Sequence, residues 1–272
     1  MAKAHVVSLI NMKGGVGKTT LAVGLAWELA RSYRVLLVDI DPQFNATQWV
    51  VKADEYLAWV KDKHTILSIF QPSLLGGTKP PPLPVTPASV IMRIERGGFT
   101  LDLVPSTLDL MKLDAAPRGT ENRLRVFLEK IKASYDYILI DCPPTASLFS
   151  YSAFLASDTY LVPVKPDPLS VLGLPLLERA MLDYEERSGT ALPRLGLVFT
   201  QVRQTDAMKD TMTLVRRSYP GEVFKDSVRQ TTSVAEAVET NSPLQFFHKT
   251  PAFIKESIAG IRAEFIQRID FS

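Results

Sequence analysis

The stretch Val6-Val7-Ser8-Leu9-Ile10-Asn11-Met12-Lys13-Gly14-Gly15-Val16-Gly17-Lys18-Thr19-Thr20 decides the fold. Val6–Ile10 is a short β-branched, apolar run closed by a glycine-rich turn, which reads as a buried strand. From Lys18 to Arg31 the apolar spacing becomes helical. A strand, a glycine turn and a helix in succession point the turn's amides inward at the positive end of a helix. The glycines permit a turn tight enough for successive N–H groups to converge on phosphate oxygens. In that frame Lys18 neutralises β- and γ-phosphate charge, and the Thr19 hydroxyl ligates Mg²⁺. The nucleotide-binding candidates are Lys13, Gly14, Gly15, Val16, Gly17, Lys18, Thr19 and Thr20. The generic phosphate-loop pattern G-x-x-x-x-G-K-[ST] fails at one position, where Met12 stands instead of glycine. The added feature is Lys13, a second cation at the mouth of the same loop.

Outward from this unit, apolar runs alternate with helical patterns. Strands are expected at Val35–Val38, Thr100–Val104, Tyr137–Ile140, Thr159–Val164 and Leu195–Thr200. Helices are expected at Glu121–Ser134, Leu169–Arg187, Ala207–Ser218 and Ala252–Arg268. Continuous apolar strands alternating with helices indicate an α/β fold, doubly wound, with a mostly parallel sheet covered on both faces. Gly76 to Pro87, with prolines at 80, 81, 82, 84 and 87, can be neither helix nor central strand. It is expected as a surface loop, so residues 1–272 are read as one domain.

Composition agrees with that class. With 46% apolar and 22% charged residues in 272, the chain is neither disordered nor fibrous. Its single cysteine, Cys142, excludes an intrachain disulfide and any cluster site needing several cysteines from one chain. No apolar run approaches a membrane span, and no signal-peptide core precedes the first strand, so the chain is expected to be cytoplasmic. The net charge of +2 alone suggests no nucleic-acid partner.

Two acidic segments join the loop. Val38-Asp39-Ile40-Asp41-Pro42-Gln43 ends the second strand, and Tyr137–Ile140 runs into Asp141-Cys142-Pro143-Pro144. Carboxylates at the C-terminal ends of parallel strands face the crevice where a nucleotide binds. Asp141 is therefore a Mg²⁺ ligand candidate, with Thr19. Asp41 would position the attacking water, and Asp39 would support the metal from behind. Cys142 reads as a small core residue. His5, His64 and His248 are the only histidines and suggest no rival chemistry.

The loop with Lys13 and the two acidic motifs resembles the ParA/MinD family of deviant Walker A ATPases. Weaker matches extend it over nearly the whole chain: Phe99–Ser106, Pro163–Pro168 with Gly173, and Glu236-Ala237. The resemblance implies an ATP- and Mg²⁺-dependent sandwich homodimer in which Lys13 reaches the facing subunit's nucleotide. The catalytic residues it implies are Lys13, Lys18 and Asp41. Phe44 departs from the glycine many members carry after Asp-Pro-Gln. Arg229-Gln230-Thr231 and Ser233 depart near the adenine loop, so no adenine contact is assigned. No N-terminal helix-turn-helix domain is expected, and one cysteine excludes the nitrogenase iron-protein branch.

Three readings follow. A partition ATPase would bind double-stranded DNA without sequence preference, associate with the nucleoid, and work with a ParB-like centromere binder or another cargo adaptor. Arg203, Lys209, Arg216, Arg217, Lys225 and Arg229 are its DNA-binding candidates, six basic residues against four acidic ones over 203–229. A MinD-like protein would insert a basic tail helix into membrane. Here Ile254, Ile258, Ile261, Phe265 and Ile269 form one face, and the polar side balances Lys255, Arg262 and Arg268 with Glu256, Glu264 and Asp270. That balance predicts packing on the sheet. The third reading is a metabolic ligase related to dethiobiotin synthetase.

Overall fold

Continuous apolar strands need cover on both faces, and the chain supplies it. The computed structural model describes residues 3–71, 85–113, 117 and 119–271. The strands are β1 (His5–Leu9), β2 (Val35–Asp39), β3 (Met92–Arg96), β4 (Phe99–Val104), β5 (Tyr137–Asp141), β6 (Thr159–Val164) and β7 (Arg194–Phe199). They form one sheet in the order β3-β4-β2-β5-β1-β6-β7, parallel throughout except for β3 against β4.

The helices of the first half are α1 (Lys18–Ala30), α2 (Asn45–Val50), α3 (Ala53–Asp62), α4 (Leu67–Phe70), α5 (Pro87–Val90) and α6 (Arg123–Glu129). Those of the second half are α7 (Leu148–Ala156), α8 (Pro168–Val171), α9 (Gly173–Ser188), α10 (Asp206–Ser218), α11 (Thr232–Glu239) and α12 (Ala252–Asp270).

Side chains alternate along each buried strand, so the inner strands feed two cores. Leu36, Val38, Ile138, Ile140, Val162 and Val164 pack with α6, α7 and α9. Val35, Leu37, Leu9, Leu139 and Leu161 pack with α1 and α12 on the opposite face. The connection β1–α1–β2 leaves in one direction across the sheet, and β5–α7–β6 in the other. Right-handed crossovers in opposite directions place their helices on opposite faces. They open a crevice at the C-terminal ends of adjacent β1 and β5.

Several elements differ from expectation. The hairpin strand β3 was not anticipated: Met92-Arg93-Ile94-Glu95-Arg96 is a charged edge with only Ile94 buried. Its signal is Gly97-Gly98, both at positive φ (59° and 80°), the pair that a tight hairpin turn favours. The helix expected over Glu121–Ser134 is the shorter α6, flanked by 3₁₀ turns at Thr120–Asn122 and Lys132–Ser134. The helix expected over Leu169–Arg187 breaks at Leu172 into α8 and α9. The proline-rich loop falls largely on 72–84, outside the described residues.

The tail helix packs as its charge balance predicted. Ile254, Ile258, Ile261 and Phe265 are buried against α1 and the sheet, and Ile269 packs beside them. Arg268 donates to the carbonyls of Leu195, Glu222 and Gly221 while pairing with Glu264. Among the described residues no helix is long and apolar enough to cross a membrane. Phe265→Ala is expected to destabilise the fold by about 3–5 kcal/mol, read as a lower midpoint in urea unfolding. An unchanged midpoint would remove α12 from the core.

Candidate active site

The glycine turn wraps as its residue types require. Gly15 and Gly17 adopt φ of 70° and 80°, in the left-handed region that glycine enters without strain. Among the described residues, the amides of Gly14, Gly15, Val16 and Gly17 have no hydrogen-bond acceptor. They line a cradle suited to an anion, beside the start of α1. Gly14, Gly15 and Lys13 are exposed, Thr20 is half-buried, and Val16 is anchored in the core.

Three further residues hold this loop. Asn11, fully buried, donates to Pro163 O at 2.8 Å and accepts from the Lys13 amide at 2.9 Å. Thr200, just past β7, donates to the Val16 carbonyl. Gln201, itself at φ 51°, donates to the Gly15 carbonyl at 2.9 Å. Gly173 completes the support, because a Cβ there would come within 3.0 Å of Asn11 Oδ1. None of Asn11, Thr200, Gln201 or Gly173 was assigned a role from the sequence. Thr200 could have been found as the C-terminal end of a parallel strand, where crevice residues collect.

Lys18, Thr19 and the three carboxylates meet at the crevice. The parallel register places Leu9 and Asp39 opposite Asp141 on either side. Thr19 Oγ1 donates to Asp141 Oδ2 at 2.7 Å, while Asp141 Oδ1 is buried without a partner. Lys18 Nζ donates to the Lys13 carbonyl at 3.3 Å. Burial lowers the Lys18 pKa, and the charges of Asp141 and Asp41 work against that shift. Burial raises Asp141 to about 7, offset in part by the Thr19 bond and Lys18.

Asp39 lies deeper. Its Oδ2 accepts from the Thr47 amide and hydroxyl, both at 2.8 Å, and its Oδ1 accepts from the Asp41 amide at 3.2 Å. Burial and nearby Asp141 hold its carboxyl well above the usual carboxylate range. Asp39 thus anchors α2 and the Asp41 turn behind the crevice. Asp41 itself is buried, and its Oδ1 accepts from the Gln43 amide at 2.9 Å. Cys142 packs in the core, where burial pushes its thiol well up, so it is not a nucleophile.

The donor set suits a small hard cation. Asp141 presents an unpaired buried oxygen and Thr19 a hydroxyl against it. Among the described residues no cluster of three or more His, Cys, Asp or Glu could cage a metal alone. Such a pair fits Mg²⁺, which keeps several waters and takes further oxygens from phosphates.

The basic candidates lie on and beside α10, in segments that follow Gln201. Lys209 pairs with Asp206 at 3.0 Å. Arg216 donates to the carbonyls of Phe224 and Lys225 at 3.2 and 3.4 Å and lies over the Phe199 ring. Arg229 lies over Phe253. All six are exposed, and among the described residues the side chains of Arg203, Arg217 and Lys225 make no hydrogen bond or ion pair.

Comparison with known proteins places this geometry in a family. A family model described as an AAA domain matches residues 4–192. The sporulation initiation inhibitor protein Soj of Bacillus subtilis (strain 168) is 32% identical over 247 residues, covering 88% of this chain and 89% of that protein. The chromosome partitioning protein ParA of Caulobacter vibrioides is 31% identical over 253 residues, covering 89% and 87%. A plasmid partition protein of Borrelia burgdorferi bound to AMPPNP superposes with a TM-score of 0.78 at 22% identity, covering 98% of this chain and 100% of that one. A cobyrinic acid a,c-diamide synthase of Mycobacterium smegmatis, with bound ATP analog and magnesium, gives 0.78 at 22%, covering 98% and 95%.

A carboxylate raised by burial destabilises the folded chain at pH values above its folded pKa, and the penalty fades as pH falls toward the unfolded value. Asp141→Asn is therefore expected to stabilise the ligand-free protein by about 1–3 kcal/mol at pH 8. That gain should shrink as pH drops below about 7. Thermal unfolding of both forms across pH 5–8 checks the sign.

Proposed function

Because the chain belongs to the ParA-type partition ATPase family, we propose that it is a Mg²⁺-dependent ATPase switch that dimerises on ATP and binds double-stranded DNA without sequence preference. The observation that carries the reading is the buried Asp141 carboxylate, bonded to Thr19 on one oxygen and unpaired on the other, beside Lys18.

Thr19 and Asp141 would hold Mg²⁺, which would neutralise charge on the triphosphate. The chain's own residues do the rest. The amides of Gly14–Gly17 and the Lys18 ammonium orient the phosphates and stabilise charge on the leaving oxygens. Asp41, at the crevice wall, orients the attacking water. Asp39 keeps the Asp41 turn in place through the Asp41 amide. Lys13, exposed at the loop's mouth, contributes its charge to the nucleotide of a second copy.

Within this reading, hydrolysis is slow alone and a ParB-like centromere binder or another cargo adaptor accelerates it. The cargo is a plasmid, a chromosome or a protein assembly, and the ATP-bound dimer resides on the nucleoid in the cytoplasm. Two observations weigh against the other readings. The apolar face of α12 is consumed in the core, which leaves no membrane-inserting face on that helix. Lys13, exposed at the loop's mouth where it can meet a second copy's nucleotide, favours the switch over a metabolic ligase.

DNA contact is assigned to Arg203, Arg217 and Lys225, with Lys209, Arg216 and Arg229 contributing field from side chains already engaged. Arg217→Glu is expected to weaken DNA retention steeply in a salt-dependent shift assay without changing ATP affinity. Arg216→Glu should also lower thermal stability, since it abandons two backbone carbonyls. Lys18→Ala should abolish ATP binding. Asp41→Ala should cut hydrolysis at least about 100-fold while ATP-dependent DNA retention persists. Rapid turnover in the Asp41 variant would sink its role.

A further inference from the structure

Phe44 is one of three non-glycine residues at positive φ among the described residues, at φ 42° and ψ 37°. It closes the turn that carries Asp41, with its amide donating to the Asp41 carbonyl at 2.8 Å. It also starts α2, with its carbonyl accepting from the Gln48 amide at 3.0 Å. A phenylalanine in the left-handed region is strained, so something must hold it there. The only ring stacked on Phe44 among the described residues is Tyr56 of α3, with centroids 5.9 Å apart and planes at 21°.

Tyr56 reaches further. Its hydroxyl donates to the Ser106 carbonyl at 2.9 Å. Ser106, fully buried past the end of β4, donates its own hydroxyl to the Asp41 carbonyl at 2.8 Å. The Ser106 amide donates to Thr47 Oγ1 at 2.9 Å, and Thr47 Oγ1 donates to Asp39. The Asp41 turn is thus gripped from two sides, by the ring stack on Phe44 and by Ser106 on Asp41. Tyr56 makes both ends of that grip.

We propose that Tyr56 and Phe44 are a positioning pair, in which the stack and the Tyr56–Ser106 bond hold the Asp41 turn at the geometry that hydrolysis needs. The proposal rests on the reading of Asp41 as the residue that orients water. Among the described residues no hydrogen bond or ring contact joins either aromatic to the phosphate cradle, so their effect falls on turnover rather than on nucleotide affinity. Without the stack, the strained Phe44 relaxes and Asp41 moves with it. Glycine at position 44 carries no such strain and needs no partner.

The test measures Mg²⁺-ATP hydrolysis and amide hydrogen exchange of the peptide spanning 40–50 in the full chain. The variants are Tyr56→Phe, Tyr56→Leu, Phe44→Gly and the double variant Phe44→Gly/Tyr56→Leu. Tyr56→Leu should lower kcat about tenfold with KM for ATP within about twofold, and should speed exchange in the peptide. Tyr56→Phe, which loses only the bond to Ser106, should lower kcat by a smaller factor. The double variant should recover most of the kcat and the slow exchange lost in Tyr56→Leu, a non-additivity that simple loss of packing does not produce. Additive losses, or a KM that rises with the fall in kcat, would overturn the pair. Wild-type protein without ATPase activity would instead remove the functional reading, and the exchange data would still decide whether the pair holds the turn.

Discussion

β1 and β5 pair in parallel with Leu9 opposite Asp141, and the crevice depends on that register. It sets the end of the Asp141 strand beside the start of the glycine turn, so Thr19 in the first turn of α1 reaches the carboxylate at 2.7 Å. β2 pairs with β5 on the other side and brings Asp39 level with Asp141. A shift by one residue in either ladder would turn these side chains to the other face of the sheet. Because both faces are packed, such a slip would disrupt two cores at once.

The same burial that makes the sheet stable makes the site electrostatically tense. Asp141 and Asp41 lie near one buried lysine with Asp39 behind them, and desolvation pushes Asp39 and Asp141 toward their protonated forms. Asp39 is accommodated by three donated hydrogen bonds, which convert a costly charge into an anchor for α2. Asp141 keeps one oxygen unsatisfied, and that residual polarity is the feature best matched to a cation. The division of labour between the two acids thus follows from what surrounds each.

Much of the site is written in local sequence. Gly15 and Gly17 sit where a phosphate turn requires positive φ, and the runs before Asp39 and Asp141 are unbroken apolar strands. The apolar face of α12 and its balanced charges foretold its place in the core. The edge strand β3 escaped notice because an exposed strand carries charge on alternate residues and resembles a loop. The break at Leu172 did have a local signal, because Gly173 and Pro175 follow it and Pro175 has no N–H to donate to the Val171 carbonyl.

Residue type and spacing by themselves determined the α/β class, the glycine cradle with Lys18 and Thr19, and the carboxylates at strand ends. Those features arise from backbone geometry and periodicity, which act over a few residues. Only the tertiary structure decided what holds them. Thr200 and Gln201 grip the loop from the far edge strand. Ser106 and Tyr56 grip the Asp41 turn, and of two exposed neighbours Arg216 donates to backbone carbonyls while Arg217 does not. Each of these contacts joins residues distant in the chain, or depends on which way a side chain turns once packed. Neither quantity is carried by local spacing, because both are set by the register of the sheet and the space left between its layers.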